Sequence, residues 1–180
     1  MNPHVVMIDL ETLSLQHNAY ILQIGVQQMD LRTGFGQKAS WGVKGQEGRH
    51  IDPDTVRWWM GQDRGVAAKV FNLDGTMPMQ TVNETWMSLA AITTNCSVWA
   101  APSTFDLAVL KDLFGGKTPW SHRQGLCLKS VAALLDPTGE LKPPENGQHH
   151  DAEADCEWQL AYLRRLYEKV TGPVTAALPA

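Results

Sequence analysis

Residues 5–12, VVMIDLET, hold an apolar run that leads directly into two carboxylates. The apolar run predicts a buried β-strand from His4 to Asp9. Because side chains alternate along a strand, Asp9 and Glu11 point to the same face if the strand continues through Glu11. Two adjacent carboxylates repel each other, and a divalent cation with oxygen ligands is the simplest way to neutralise them. An Asp-x-Glu pattern alone leaves open the alternative of an acidic turn after a strand.

The elements that follow this strand predict an α/β fold. Apolar runs over 20–29 and 35–43 supply two more strands, which form an antiparallel meander with the first. Asp52-Pro53 and Asp63 are placed as helix N-caps. The remaining predicted elements are helices over 53–60, 64–71, 81–93, 104–114, 126–135 and 151–170 and a buried strand over 97–100. Helices that alternate with strands favour a mixed sheet flanked by helices.

Length and composition indicate one globular domain. The chain has 180 residues, of which 43% are apolar and 19% charged, which is enough for one well-buried core. We expect a single domain over residues 1–170 and a flexible, uncharged tail over 171–180. The apolar stretches are far shorter than the roughly 18 residues of a membrane span. The N-terminus lacks the basic region and cleavage site of a signal peptide, so we expect a cytoplasmic protein.

The cysteines predict neither a disulfide framework nor a thiolate zinc site. Cys96, Cys127 and Cys156 are widely spaced, odd in number and form no CxxC pair. We expect them to be buried free thiols.

The charge balance argues against a protein that holds nucleic acid by bulk positive charge. There are 15 Lys and Arg residues against 19 Asp and Glu residues, a formal net charge of −4. Bases outnumber acids by seven to four in residues 31–70 and by four to two in residues 101–130. Such a pattern is compatible with a local groove for an anionic substrate, and equally with an ordinary solvated surface.

A second acidic motif lies at the start of the last predicted helix. Asp151 is a natural N-cap, His150 precedes it, and Asp155 lies about one turn into the helix. His150 and Asp155 can therefore project towards one site. The alternative is that acids near a helix N-terminus are favoured by the helix dipole whatever their function.

A third motif is Phe105-Asp106, which follows the predicted strand over 97–100. Asp106 lies in the first turn of the next helix, which Ser103 or Thr104 would cap. Taken alone, Asp106 could be a surface acid that suits the helix dipole.

The order and spacing of the three motifs resemble the DEDDh group of 3′-5′ exonucleases. This group belongs to the ribonuclease H-like superfamily, which includes proofreading subunits and ribonuclease T. Three runs are similar to a small phage and actinobacterial branch of exoribonucleases and exonuclease VIII-like proteins. They are DLET at 9–12, ILQIG at 21–25 and TVRWWMGQ at 55–62. The resemblance covers roughly residues 4–170 and implies a ribonuclease H-like mixed β-sheet flanked by helices.

The resemblance also implies a two-metal centre and a general base. The residues that would hold two Mg²⁺ or Mn²⁺ ions are Asp9, Glu11, Asp106 and Asp155. Two metal ions at such a centre activate the attacking water and stabilise the departing oxygen. His150 would accept the proton of that water. His149 is a rival base, but its spacing to Asp155 is one residue longer than the family pattern.

Substrate contacts are implied less fully. The candidates are Thr12, Leu13, Trp58, Trp59, Gln62, Phe105 and Arg123. Thr12 and Leu13 follow the first motif, where related enzymes contact the terminal nucleotide. A solvated surface position is the alternative for Gln62 and Arg123. The chain departs from the family at Pro102, where Asn is frequent, and at Cys127, where Asp is frequent, and both departures concern substrate contacts.

The tryptophans divide into two expected groups. Trp58 and Trp59 are adjacent, hence about 100° apart on a helix, so that one can lie in the core while the other borders the groove and stacks on a base or sugar. The tryptophans expected in the core are Trp41, Trp86, Trp99 and Trp158.

The resemblance implies an exonuclease that releases nucleoside 5′-monophosphates from the 3′ end of single-stranded or overhanging nucleic acid, with RNA slightly favoured over DNA. Relatives often form homodimers. One alternative is an inactive ribonuclease H-like module that binds nucleic acid or a protein partner. A ribonuclease H-type endonuclease or integrase would lack the His-x4-Asp ending. Setting the four implied metal ligands aside leaves 15 acids against 15 bases, so the attraction for a polyanion would reside in the bound cations.

Overall fold

The apolar run at the start of the chain forms the strand around which the sheet is built. In the computed structural model, which describes residues 2–144 and 149–173, strand β1 spans His4–Thr12. Its residues 5–8 are fully buried, because both faces of the sheet are covered. The strand is longer than predicted and continues through Glu11, so Asp9 and Glu11 lie on the same face.

The sheet has six strands, which are β1, β2 (Ile21–Asp30), β3 (Gly34–Lys44), β4 (Met79–Thr81), β5 (Ser97–Ala100) and β6 (Gly125–Cys127). Their spatial order is β4-β3-β2-β1-β5-β6. The first three strands form the predicted antiparallel meander, and β5 pairs with β1 in parallel, so the sheet is mixed as predicted. The edge strands β4 and β6 were not predicted, since three residues are too few to show a periodicity.

In the described part of the chain six helices flank the sheet, and they are α1 (Pro53–Met60), α2 (Arg64–Val70), α3 (Val82–Ile92), α4 (Asp106–Leu113), α5 (Leu128–Leu135) and α6 (Ala152–Thr171). Asp52 and Asp63 cap α1 and α2 as predicted. The predicted cap of α4 was wrong: the N-cap is Phe105, whose side chain makes no capping hydrogen bond, and neither Ser103 nor Thr104 has that role. Helix α5 begins two residues later than predicted, because β6 takes the preceding residues.

The two faces of β1 contact different helices. Val6, Ile8 and Leu10 pack in one core with residues of α3 and α4. Val5 and Met7 pack in the other core with residues of α5 and α6. Asp9 and Glu11 continue the second series, so their carboxylates lie on the side of the sheet that α6 covers.

Gly25 allows the beginning of α6 to approach the sheet beside Asp9. It is the β2 residue paired with Asp9. A Cβ atom at this position would lie 2.2 Å from the carbonyl carbon of Ala152, the first residue of α6. The close approach therefore requires glycine.

The structure also bears on the expectations for the cysteines, the C-terminal tail and a membrane span. Cys96 and Cys156 are buried free thiols as expected, whereas Cys127 is half-buried. The predicted tail began at Thr171, which is still helical, and residues 174–180 lie outside the described part of the chain. Among the described helices, none combines the length and the apolarity needed to cross a membrane.

Candidate active site

A cavity of about 780 Å³ lies at the carboxyl end of β1, beside α4, α5 and α6. Its lining includes the four implied metal ligands and both candidate bases, namely Asp9, Glu11, Asp106, His149, His150 and Asp155. Glu11 and Asp106 are buried, with 8% and 4% of their surface exposed. The fold thus brings together acidic groups from three separate parts of the sequence.

Asp106 is anchored to β1 by its own carboxylate. The first turn of α4 places its Oδ1 atom 3.2 Å from the backbone N–H of Leu10, which donates a hydrogen bond to it. This contact ties Asp106 to the strand that carries Asp9 and Glu11. The pairing of β1 with β2 shifts register between Glu11 and Thr12, at the same end of the strand. Such irregularities redirect side chains where a strand meets a site.

His150 is held immediately before α6 in a left-handed backbone conformation, with φ of 67°. Its backbone N–H donates to Oδ2 of Asp155 at 3.0 Å. Glu11, His150 and Asp155 each offer a ligand atom, and these atoms all lie within 4.8 Å of one another. The ring of His150 packs edge-on against Trp58, with ring centroids 4.7 Å apart.

Asp151 fixes the start of α6. It is buried, caps the helix by accepting the backbone N–H of Glu153 at 3.2 Å, and accepts the Nε2 amide of Gln23 at 3.2 Å. It also forms an ion pair with Lys69 of α2. The Oε1 atom of Gln23 accepts the backbone N–H of Ala152 at 3.1 Å. Groups from β2 and α2 therefore fix the segment that carries His150 and Asp155.

Gln159 is a residue of the site that the sequence analysis missed. Its Nε2 amide donates to Oδ1 of Asp9 at 2.7 Å. Its Oε1 atom is buried and has no hydrogen-bond partner within residues 2–144 and 149–173. Gln159 lies one turn after Asp155 on the same face of α6, so the spacing of four residues was the signal that could have found it.

Burial and mutual repulsion raise the pKa values of the carboxyl groups. The pKa of Asp9 is raised by desolvation and then by the charges of Asp106 and Asp155. The pKa of Glu11 is raised by desolvation and then by Asp9. Desolvation raises the pKa of Asp106 to about 7 and also raises the pKa of Asp155. Without a compensating cation these groups resist ionisation near neutral pH.

The donor set fits hard divalent cations. Carboxylate oxygens are the preferred ligands of Mg²⁺ and Mn²⁺, and a cation would supply the positive charge that the raised pKa values of these carboxyl groups call for. The unpartnered Oε1 atom of Gln159 is a further oxygen in the lining, suited to accept a hydrogen bond from a water molecule of a hydrated ion.

The two adjacent tryptophans divide as the helical spacing predicts. Trp59 is buried and its Nε1 donates to the backbone oxygen of Thr12 at 2.9 Å. Trp58 is 44% exposed and lies beside His150. Leu13 is buried in a small core with Trp59, and the hydroxyl of Thr12 donates to the backbone oxygen of Ser14, so neither lines the cavity.

The other substrate-contact candidates are placed unevenly. Phe105 lines the cavity next to Asp106. The Nε2 amide of Gln62 donates to the backbone oxygen of Trp58 at 3.1 Å, at the end of α1. Arg123 is exposed in the turn before β6, beside the start of the parallel strands, and is not brought to the cavity.

Two tryptophans expected in the core are only half-buried. Trp41 and Trp99 are buried, but Trp86 packs edge-on against Phe114 near the surface. Trp158 lines the cavity, and its Nε1 donates to the backbone oxygen of Pro144 at 3.1 Å. Trp158 still packs against the core that α5 and α6 form with the sheet, so the expectation holds in part.

Comparison with known proteins gives one family match and several similar structures. The model of a family described as the 3′-5′ exoribonuclease Rv2179c-like domain matches residues 4–167. No curated protein matches the chain at a significant level.

Three of the similar solved structures are exonucleases. The zinc-bound ExoI–ssDNA complex of E. coli matches with a TM-score of 0.66 and 16% identity over 92% of this chain and 40% of that one. Exonuclease I from Methylocaldum szegediense matches with a TM-score of 0.64 and 14% identity, over 94% of this chain and 41% of that one. Exonuclease X in complex with 5′ overhanging duplex DNA matches with a TM-score of 0.62 and 18% identity, over 94% of this chain and 95% of that one. The chain thus spans about 40% of the exonuclease I chains, and these likenesses confirm the ribonuclease H-like fold.

Proposed function

The chain belongs to the Rv2179c-like 3′-5′ exoribonuclease domain family, and on this premise we propose that it is a metal-dependent 3′-5′ exonuclease. The observation that carries the proposal is the convergence of four carboxylates and a histidine on one cavity at the end of β1. We propose a single catalytic domain over residues 1–170 that uses two divalent cations, Mg²⁺ or Mn²⁺. The products are nucleoside 5′-monophosphates.

The ligands of the two cations would be Asp9, Glu11, Asp106 and Asp155. Bound cations would neutralise the clustered carboxylates, activate water and stabilise charge on the departing oxygen. The chain's own contribution is to hold the carboxylates in place. Asp106 is fixed by the Leu10 N–H, Asp9 by Gln159 and Asp155 by the His150 N–H.

His150 is the proposed general base. One of its ring nitrogens lies within 4.8 Å of a carboxylate oxygen of Glu11 and of one of Asp155. An imidazole is suited to accept a proton from the attacking water near neutral pH. The water oxygen bonds to phosphorus, and the bond from phosphorus to the 3′ oxygen breaks. The shortened strand keeps a 3′ hydroxyl, and the released nucleotide keeps the phosphate.

The proposed substrate is a single-stranded or overhanging 3′ end. Glu11 and Asp106 are more than nine-tenths buried, so a paired terminus would have to separate before its last phosphodiester reached them. The family description favours RNA over DNA slightly. Trp58, exposed beside His150, is placed to stack on the terminal base or sugar. A homodimer, which the family resemblance implies, is also part of the proposal.

The test uses single-stranded RNA and DNA labelled at either end, with Mg²⁺, Mn²⁺ or EDTA. We expect stepwise loss from the 3′ end that requires a divalent ion and is abolished in Asp9→Asn and His150→Ala. The matched controls are Asp74→Asn and His122→Ala, which change an exposed acid and an exposed histidine outside the cavity. Internal cleavage, trimming from the 5′ end or full activity in Asp9→Asn would contradict the proposal. Binding without hydrolysis under every condition would support the inactive module.

A further inference from the structure

The cavity continues past the carboxylates into a space between α5 and α6. We name this space the α5–α6 arm and define it by Lys129, Ala133, Thr138, Lys142 and Trp158, which line it together with their neighbours. The whole cavity has a volume of about 780 Å³, within the usual range for sites that hold organic ligands. The arm therefore provides more room than metal ions need.

The sheet order places the arm on one side of the carboxylates. Strand β1 lies between β2 on one side and β5 and β6 on the other. Trp58 belongs to α1. The adjacent residue of this helix, Trp59, packs on the β2 side with Leu13, Tyr20 and Leu22. Helix α5 begins directly after β6, on the opposite side. A bound nucleic-acid chain whose last nucleotide lies beside Trp58 would continue across the carboxylates towards the arm.

Two lysines give the arm a positive charge. Lys129 is exposed at the start of α5, and its ammonium lies near enough to Asp106 to oppose the effect of burial on that pKa. Neither Lys129 nor Lys142 forms an ion pair with a carboxylate anywhere in 2–144 or 149–173. Asp136, the acid that shares this part of the lining, already accepts hydrogen bonds from the hydroxyl of Tyr162 and the backbone N–H of Leu141. The ammonium groups are therefore available to an anion.

Trp158 gives the arm a fixed aromatic surface. Its ring nitrogen is tied to Pro144, and its ring lies 5.8 Å from that of Tyr162 at an interplanar angle of 51°. A half-buried indole that is already oriented loses little conformational freedom when a base packs against it. Cations and an aromatic ring along one groove are the combination that binds single-stranded nucleic acid.

We propose that the α5–α6 arm binds the nucleotides immediately upstream of the bond to be cleaved, with Lys129 and Lys142 on backbone phosphates and Trp158 against a base. The inference rests on the proposed function, because it takes the carboxylates as the place of cleavage. It assigns the bound nucleic acid a direction through the cavity, from the arm to the carboxylates and His150, with Trp58 beside His150 but outside the cavity lining.

The test compares Lys129→Gln, Lys142→Gln and Trp158→Leu with the wild type on a dinucleotide and on six- and ten-nucleotide single strands. Each lysine substitution should raise KM for the longer strands about two- to fivefold. Lys142→Gln should leave kcat unchanged, whereas Lys129→Gln also removes a charge that acts on Asp106, so only its effect on KM is compared. Trp158→Leu should raise KM about tenfold. Each lysine substitution should also lower the slope of log affinity against log salt by about 0.7. Lys117→Gln, an exposed lysine outside the cavity, is the matched control.

The binding of a nucleoside 5′-monophosphate, measured by product inhibition, separates the arm from the terminal subsite. It should be unchanged in all three variants. If mononucleotide affinity falls as much as oligonucleotide affinity, the arm holds the terminal nucleotide and the assignment is wrong; unchanged KM values for long strands also overturn it.

Failure of the proposed function would give a different result from failure of the arm. If the wild type cleaves from the 3′ end and the three variants match it, the arm alone is refuted. If the wild type cleaves nothing, fluorescence anisotropy of labelled strands in Ca²⁺ still decides: weaker binding by the arm variants supports the groove, and equal binding refutes it.

Discussion

At the scale of single residues, Gln159 shows how the site depends on a side chain that is not itself acidic. Its amide N–H donates to Asp9, and its buried amide oxygen has no hydrogen-bond partner among the described residues. An amide cannot repel the carboxylate it touches, and its donated hydrogen bond restricts where the carboxylate points. It therefore positions Asp9 for a cation.

Replacing Gln159 by Met should weaken cation binding without unfolding the protein. The change keeps the length of the side chain but removes the donor to Asp9. Loss of a group that orients a metal ligand costs about 10- to 100-fold in metal affinity or activity. Calorimetric titration with Mn²⁺ measures the first quantity and initial rates the second. The control is Gln37→Met, at an exposed position of β3, which should change neither Mn²⁺ affinity nor rate. Wild-type Mn²⁺ affinity in Gln159→Met would refute the proposed positioning of Asp9 by Gln159.

The carboxyl groups also predict how stability depends on pH when no metal is bound. Their pKa values are raised in the folded protein, that of Asp106 to about 7 from an ordinary 3.8. Between these values the folded state binds more protons than the unfolded state, so the free energy of unfolding falls as pH rises. The lowered pKa of Asp30, about 2, acts in the opposite direction but below pH 4.

We therefore expect the Tm in EDTA to decrease by several degrees between pH 5 and pH 8. Mg²⁺ should restore it more at pH 8 than at pH 5, because the ionised carboxylates bind the cation. Asp106→Asn should flatten the decrease, since it removes one of these titrations. A Tm in EDTA that rises over this range would show that the carboxylates are not clustered as described.

At the scale of secondary-structure elements, the placement of α6 on the sheet determines the site. The helix carries Asp155 and Gln159, and His150 directly precedes it. Gly25 on β2 and the Lys69–Asp151 pair fix where it begins.

A methyl group at Gly25 should displace α6. Its Cβ would lie 2.2 Å from the backbone of Ala152. Because this contact is too short, the backbone of α6 or of β2 has to move. Gly25→Ala should cost more than about 2 kcal/mol of unfolding free energy and lower activity beyond what the unfolded fraction explains. Urea denaturation and rates measured at a temperature where the variant is folded check this. Gly61→Ala is the control, since its Cβ would make only an ordinary contact of 3.4 Å; equal behaviour of the two variants would contradict it.

The sequence allowed prediction of the elements whose signals are local. The meander, the caps at Asp52 and Asp63 and the His150–Asp155 spacing all depend on residues a few positions apart. The Lys69–Asp151 pair joins residues 82 positions apart, and nothing near either residue indicates the other. Trp158 packs against the core as its type predicts, but its place in the cavity lining depends on the packing of α6 beside α5, which lies distant in sequence.

At the scale of the whole molecule, the net charge of −4 is concentrated where the cations would bind. The described lining holds four carboxylates proposed as ligands, and the rest of the chain is formally neutral. Affinity for a polyanion should therefore depend mainly on bound metal ions, with a smaller contribution from the two lysines of the α5–α6 arm.

We expect the metal-free protein to bind single-stranded RNA poorly. Anisotropy of a labelled ten-nucleotide strand should show weak binding in EDTA and tighter binding in Ca²⁺. Asp9→Asn with Asp155→Asn should reduce the difference between the two conditions. Strong binding in EDTA that weakens steeply with salt would show that surface lysines and arginines dominate instead.

The central claim is that water cleaves the last phosphodiester of a 3′ end at the carboxylate centre. The most direct measurement digests single-stranded RNA in ¹⁸O-labelled water with Mg²⁺ or Mn²⁺ and analyses the first products by mass spectrometry. The account predicts nucleoside 5′-monophosphates that carry one ¹⁸O in the phosphate, released singly from the 3′ end and absent with Asp9→Asn. Nucleoside 3′-phosphates, cyclic phosphates or internal fragments as first products would contradict it.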